Sequence, residues 1–115
     1  MFPFLSDYKR VWDMDQARDA YNELQEYFRH ADPTHKREDC VFEKLGYIDI
    51  QFLAPRLRAE VMWRIGLMDT ICPPSSRFAA YNKIVPFRTM TVYPDFGHEP
   101  LPGISDRVFQ FMRGL

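Results

Sequence analysis

The chain has no strong charge of either sign, almost no cysteine and no long apolar run, and each shortage removes a class of function. Fifteen basic side chains against sixteen acidic ones leave a formal net charge of −1. Such a balance gives no long-range field for phosphates or anionic lipid, so neither nucleic acid nor a membrane surface is an expected partner. The two cysteines, Cys40 and Cys72, show no C-x-x-C spacing and sit in different local contexts, so both are read as reduced thiols. The opening residues lack the basic stretch and long apolar core of a signal peptide, and no segment approaches a membrane span. A cytoplasmic protein is the resulting expectation. Internal repeats and low-complexity stretches are also missing.

What is present is material for a core. In 115 residues, 46% are hydrophobic and 16% aromatic, enough to build one small domain. Phe2 to Leu5 reads as a short buried strand cut off by Ser6-Asp7. From Asp15 to Arg29, Ala17, Ala20, Tyr21, Leu24, Tyr27 and Phe28 recur at steps of three and four, which predicts an amphipathic helix stopped by Asp32-Pro33. Thr34 is the expected N-cap of a second helix reaching Leu45, with Gly46 closing it in the C′ position.

Val61 to Leu67 and Thr89 to Tyr93 are the two clearest strands. Between them Pro74 and Ser75 open a helix containing Phe78, Ala79, Ala80 and Tyr81, with Ser75 and Ser76 as capping residues. This is a βαβ unit, which implies parallel strands and a right-handed crossover. Ser105 to Arg113 forms a last helix. The aromatics Tyr21, Tyr27, Phe28, Phe109 and Phe111 are expected in the core and not on a sugar-stacking platform. The fold class is therefore α/β. Arg64, inside the first clear strand, would be buried without an obvious partner if both sheet faces are covered.

Two residues carry the chemistry. Asp69 follows the first strand and His98 follows the second, and in a parallel sheet reacting groups collect beyond the carboxyl ends of strands. An aspartate bonded to one imidazole nitrogen fixes the tautomer, leaving the other nitrogen to take a proton from a hydroxyl nucleophile. In α/β-hydrolases that nucleophile is a serine in a G-x-S-x-G elbow preceding the acid in chain order. No such pentapeptide occurs in these residues, and Gly103-Ile104-Ser105-Asp106-Arg107 lacks its second glycine. Cys72 is close to Asp69 in sequence, but an acidic neighbour raises a thiol pKa, which argues against a cysteine nucleophile. His30 and His35 with Asp32, Glu38 and Asp39 form no recognised ligand pair on one helical face, so no metal site is expected there.

Gly66-Leu67-Met68-Asp69, Cys72-Pro73-Pro74-Ser75, Phe78-Ala79-Ala80-Tyr81-Asn82 and Tyr93-Pro94-Asp95-Phe96-Gly97-His98-Glu99 together resemble the C-terminal part of the acetyl xylan esterase and cephalosporin C deacetylase family. Phe2-Pro3-Phe4-Leu5-Ser6-Asp7-Tyr8, Tyr27-Phe28-Arg29 and Gly46-Tyr47-Ile48-Asp49 fit the same pattern, so the likeness spans residues 1 to 115 as a partial α/β-hydrolase domain. The resemblance implies a serine esterase that deacetylates xylo-oligosaccharides and cephalosporin C through an acyl-serine, without metal or cofactor. It implies Asp69 as triad acid and His98 as general base, with the serine and oxyanion donors in preceding sequence. It further implies a helical insertion near the site at about residues 13 to 45 and a homo-oligomeric assembly. The expected function is the acid- and base-bearing portion of such an esterase, inactive alone; the alternative is a non-catalytic binding or assembly module of the same descent.

Overall fold

A computed structural model describes residues 6 to 16 and 18 to 115. The expected strand at Phe2 to Leu5 lies outside the described residues, as does Ala17. Two parts follow in chain order: a helical part, and a parallel strand pair joined by a helix.

The helical part comprises α1 (Tyr8–Asp13), α2 (Asn22–Ala31) and α3 (Glu38–Leu45). Its core is Tyr8, Val11, Tyr21, Phe28 and Phe42, with Trp12, Leu24, Val41 and Leu45 packed around them. The single helix expected from Asp15 to Arg29 is corrected here. Asp15 adopts a left-handed backbone at φ 53°, the chain turns through Arg18 to Ala20, and the helix starts only at Asn22. Asp tolerates that conformation better than most residues, and burying Tyr21 against Tyr8, ring centroids 6.1 Å apart, outweighs continuing the helix.

Thr34 does not cap the next helix. Asp32 does the equivalent work, accepting from the backbone N–H of Lys36 at 3.0 Å and of Arg37 at 2.7 Å ahead of α3. Gly46 is not a left-handed C′ residue either: at φ −56° and ψ −27° it continues into a 3₁₀ turn, Gly46–Ile48. The short helix α4 (Ile50–Leu53) follows, its N-terminus held by Asp49, whose carboxylate accepts from Gln51 N–H at 2.9 Å.

Strands β1 (Val61–Gly66) and β2 (Arg88–Tyr93) pair in parallel, with Val61 opposite Arg88 and Gly66 opposite Tyr93. Helix α5 (Pro74–Tyr81) connects them, Pro74 at its first turn as the sequence predicts. Ser75 and Ser76 are not caps; Ser76 is buried and its hydroxyl donates to Pro73 C=O at 2.8 Å. Ile65, Ala80, Ile84 and Leu101 form the apolar interior of this part. Arg64 is half-buried and not sealed in, because its guanidinium reaches the carbonyl of Ile104 at 3.5 Å, the first residue of α6 (Ile104–Arg113). Helix α6 buries none of its residues, and Phe109, expected in the core, is 66% exposed. Val108 and Met112 on the same helix are exposed as well.

The carboxyl ends of the strands are stitched together. Leu67 N–H donates to Tyr93 C=O and Met68 N–H to Phe96 C=O, both at 3.0 Å. At Gly66 the two loops come so close that an added Cβ would lie 2.3 Å from the Phe96 carbonyl oxygen. That contact is backbone on backbone and cannot be relieved by a rotamer change. Gly46 is the contrasting case, since its Cβ would meet only the Phe52 ring at 3.6 Å. Gly66→Ala is expected to destabilise the chain by about 1–3 kcal/mol through overpacking. Gly46→Ala, in helical backbone with room to spare, is expected to stabilise it by about 0.4–1 kcal/mol. Chemical denaturation of the two variants beside the parent checks both signs.

Candidate functional site

Asp69 and His98 occupy the two loops just described, and the stitching brings them together. Their separation of 29 positions in sequence closes to hydrogen-bond contact: His98 Nδ1 lies 3.0 Å from Asp69 Oδ2 and 3.3 Å from Oδ1. The carboxylate side chain is wholly buried, whereas 31% of the imidazole is exposed. One end of the pair is thus shielded from water and the other is open to it.

The loop from Leu67 to Pro73 is shaped by the carboxylate it carries. Asp69 Oδ1 accepts from the backbone N–H of Ile71 at 3.0 Å and of Cys72 at 2.8 Å, an arrangement in which a short acidic side chain mimics a backbone turn. Pro73, extended at φ −55° and ψ 141°, then ends the turn and hands the chain to α5. Three residues into that helix stands Arg77, 1% exposed, whose Nη2 forms an ion pair with Asp69 Oδ2. Two backbone amides, a guanidinium and the imidazole therefore occupy the four acceptor positions of one carboxylate. All four partners are donors, so Nδ1 presents its hydrogen to Asp69 and Nε2 becomes the nitrogen able to accept a proton.

Arg77 is the residue that sequence reasoning missed. Its signal was a charge within the otherwise small and apolar Phe78-Ala79-Ala80 helix, one turn after the proline that opens it. A buried carboxylate requires a counter-charge, and Arg77 is the cation the fold supplies.

Cys72 borders the pair without forming part of it. Burial pushes its thiol pKa up, and Asp69 adds to the rise while Arg77 opposes it. A thiol so placed is a poor nucleophile at neutral pH. Both cysteines are free, Cys40 exposed and Cys72 buried. The remaining polar residues of the helical part serve structure. His30 bonds Glu26 at 3.0 Å, His35 bonds Glu38 at 2.8 Å while stacking on Phe28, and Asp32 is the cap already described.

A cleft of about 230 Å³ lies between Arg18, Asp19 and Ala20 on one side and Thr70 and Ile71 on the other. It meets the acid's loop, but neither Asp69 nor His98 lines it. The turn between α1 and α2 therefore approaches the site from the Asp69 side.

The burial of both partners of the ion pair sets its energetic weight. Removing Arg77 leaves Asp69 with an uncompensated charge, and Arg77→Ala is expected to cost about 3–5 kcal/mol in a urea titration. Adding Asp69→Asn to that variant should recover part of the loss, because no charge is then stranded. A double variant as unstable as the sum of the two single changes would show that the pair is not coupled.

Comparison with known proteins places this geometry. The family model described as "Acetyl xylan esterase (AXE1)" matches residues 1 to 115. The crystal structure of acetyl xylan esterase 1 from Thermoanaerobacterium sp. JW/SL YS485 superposes with a TM-score of 0.92 at 57% identity, over 96% of this chain. The acetyl xylan esterase from Paenibacillus sp. R4 gives a TM-score of 0.91 at 36% identity over 98% of this chain. This chain spans 35% of the length of each of those two. Likeness at that level in both sequence and backbone, over nearly all of its residues, means that the chain belongs to the acetyl xylan esterase family.

Proposed function

We propose that this chain supplies the acid and the general base of a serine carboxylesterase, and that its catalytic serine and oxyanion-hole donors lie in polypeptide preceding these residues in the assembled site. The observation that carries this reading is the Asp69–His98 contact, with the carboxylate buried and held on all sides by donors while the imidazole reaches the surface. The family match and the related solved structures, both named acetyl xylan esterases, favour acetylated xylo-oligosaccharides as substrates. Cephalosporin C is the second acetyl ester proposed.

In this mechanism His98 Nε2 takes the serine proton as Oγ attacks the acetyl carbonyl. Collapse of the tetrahedral intermediate breaks the ester bond, and the sugar oxygen leaves with the proton from His98. Water then enters, gives a proton to the same nitrogen and attacks the acyl-serine; collapse of this second tetrahedral intermediate breaks the bond to serine Oγ, which takes the proton back from His98 as the acetyl group leaves as acetic acid. Asp69 stabilises the imidazolium in both halves, and Arg77 acts through Asp69 as a positioning residue. The reaction uses only protein groups and water. The helical part at about residues 13 to 45 is read as an insertion bordering the substrate path, on the strength of the cleft between Arg18 to Ala20 and the Asp69 loop. Two free thiols and the absence, among the described residues, of a helix long and apolar enough to cross a membrane support a cytoplasmic setting.

A dyad without nucleophile or oxyanion hole lacks most of the transition-state stabilisation of ester hydrolysis. The purified chain is therefore expected to show no hydrolysis of p-nitrophenyl acetate above a protein-free blank. Mixing it with the portion of the Thermoanaerobacterium enzyme outside the match, which on this reading supplies the serine, is expected to restore turnover. In that complex Asp69→Asn should lower kcat by about 10⁴, the effect of a wrongly held imidazole tautomer. Turnover by the chain alone that His98→Ala abolishes would place a nucleophile within it, and a well-formed but inactive complex would favour the non-catalytic assembly module.

Self-association is proposed as well, because Val108, Phe109, Met112 and Leu115 at the end of the chain are all more than two-fifths exposed. Light scattering at about tens of micromolar is expected to show oligomers in the parent and fewer in a Phe109→Lys, Met112→Lys variant. A monomeric parent would remove the proposal.

A further inference from the structure

Beside the acid–base pair stands a third potential ligand. The Asp69 carboxylate, the Cys72 sulfur and a His98 ring nitrogen each offer one atom, and the three atoms lie within 4.8 Å of one another. Asp69 and Cys72 are held from the same turn, since the Cys72 amide donates to the carboxylate at 2.8 Å. The site is walled by protein on the acid and thiol side and reaches solvent through the imidazole, 31% exposed.

We propose that Asp69, Cys72 and His98 form a zinc site, in which one Zn²⁺ takes the place of the hydrogen between Asp69 and His98. Thiolate, imidazole and carboxylate are the donors that zinc prefers, and three protein ligands with one open position describe an accessible zinc centre.

The geometry is close to what the ion demands. Zinc–nitrogen and zinc–oxygen bonds of about 2.0–2.2 Å place two ligand atoms of a tetrahedron roughly 3.4 Å apart. His98 Nδ1 already stands 3.0 and 3.3 Å from the two carboxylate oxygens. A zinc–sulfur bond of about 2.3 Å asks for roughly 3.6 Å from sulfur to either partner, against the 4.8 Å within which the three ligand atoms lie. Asp69 keeps its bonds to Ile71, Cys72 and Arg77 and gives the metal the one acceptor position now filled by His98. Thiolate and carboxylate together match the two charges of the cation, and Arg77, still hydrogen-bonded to Asp69, leaves the cluster with a net charge of +1. Binding releases one proton to solvent, from Cys72 Sγ, while the hydrogen on His98 Nδ1 moves to Nε2 so that the imidazole stays neutral, with no change of oxidation state.

Zinc in this position replaces the bond that orients the imidazole, so it would switch off an esterase built on the dyad. That consequence rests on the function proposed above. The binding itself requires only these three side chains and is measured without any ester.

Cobalt(II) is the spectroscopic probe and zinc its competitor, both added to the purified 115-residue chain. One equivalent of cobalt should produce a thiolate charge-transfer band with intense visible bands of tetrahedral type, and zinc should bleach both. Cys72→Ser should remove the charge-transfer band and weaken zinc at least about 100-fold, since losing a direct ligand exceeds the cost of losing an outer-shell one. His98→Gln should weaken zinc to a similar extent, whereas Cys40→Ser should change nothing. A band that follows Cys40, or zinc affinity equal in the parent and Cys72→Ser, would overturn the site. Because Cys72 is buried and its replacement can disturb folding, a second measurement uses the parent alone. Zinc should slow alkylation of Cys72 at least about tenfold, as a metal-bound thiolate is shielded from the reagent, while Cys40 is unaffected. Equal rates at Cys72 with and without zinc would overturn the proposal independently of any variant.

Discussion

A single buried carboxylate organises the Asp69–His98 end of this chain. Asp69 has no exposed side-chain surface, and a charge in that position survives only if every lone pair is met. Each of the four donors that meet it comes from a different structural requirement. Ile71 and Cys72 supply amides because the loop turns around the carboxylate. Arg77 supplies charge because α5 begins where Pro73-Pro74 ends the turn. His98 supplies the last donor because the end of β2 is fastened to the end of β1 at Gly66. Disturbing any one of these shifts the oxygen that orients the imidazole.

This explains why the contact between the two loops is so tight. The bonds from Leu67 to Tyr93 and from Met68 to Phe96 extend the parallel register past the last paired residues, Gly66 and Tyr93. Only a residue without a side chain fits where the backbones cross. Catalytic geometry at the carboxyl ends of parallel strands usually depends on loops that are free to vary. Here the two loops are locked to each other, and together with Arg77 on α5 this fixes the separation of Asp69 and His98.

The helical part follows a different logic. Its core is aromatic, with Trp12 against Phe28 and Phe42 and His35 stacked on Phe28 at 4.3 Å, and its helices are short. Short helices gain most of their stability from packing, so tertiary contact overrides local propensity there. That is why a regular three-and-four pattern from Asp15 to Arg29 did not become one helix. Burying Tyr21 against Tyr8 and turning at Asp15 proved worth more than two extra helical turns. Thr34 failed as a cap because Asp32 met the free amides of Lys36 and Arg37 first, whereas Gly46 does end α3 but in right-handed backbone that runs on into a 3₁₀ turn.

The strands β1 and β2, the helix between them and the placing of Asp69 and His98 beyond the strand ends were legible from sequence. Strand patterns and proline punctuation are local signals that act within a few residues, and a parallel unit puts its strand ends on one side whatever else the chain does. The membership of the acetyl xylan esterase family was legible too, because its motifs sit in those same loops. What only the tertiary structure decided was the contact itself. Arg77 as the counter-charge, the crossing at Gly66, the partial exposure of Arg64 and the arrival of Cys72 beside the pair all depend on atoms far apart in sequence meeting in space. Periodicity carries no information about which buried charge will find which partner, since that is settled by the energy of desolvating both at once.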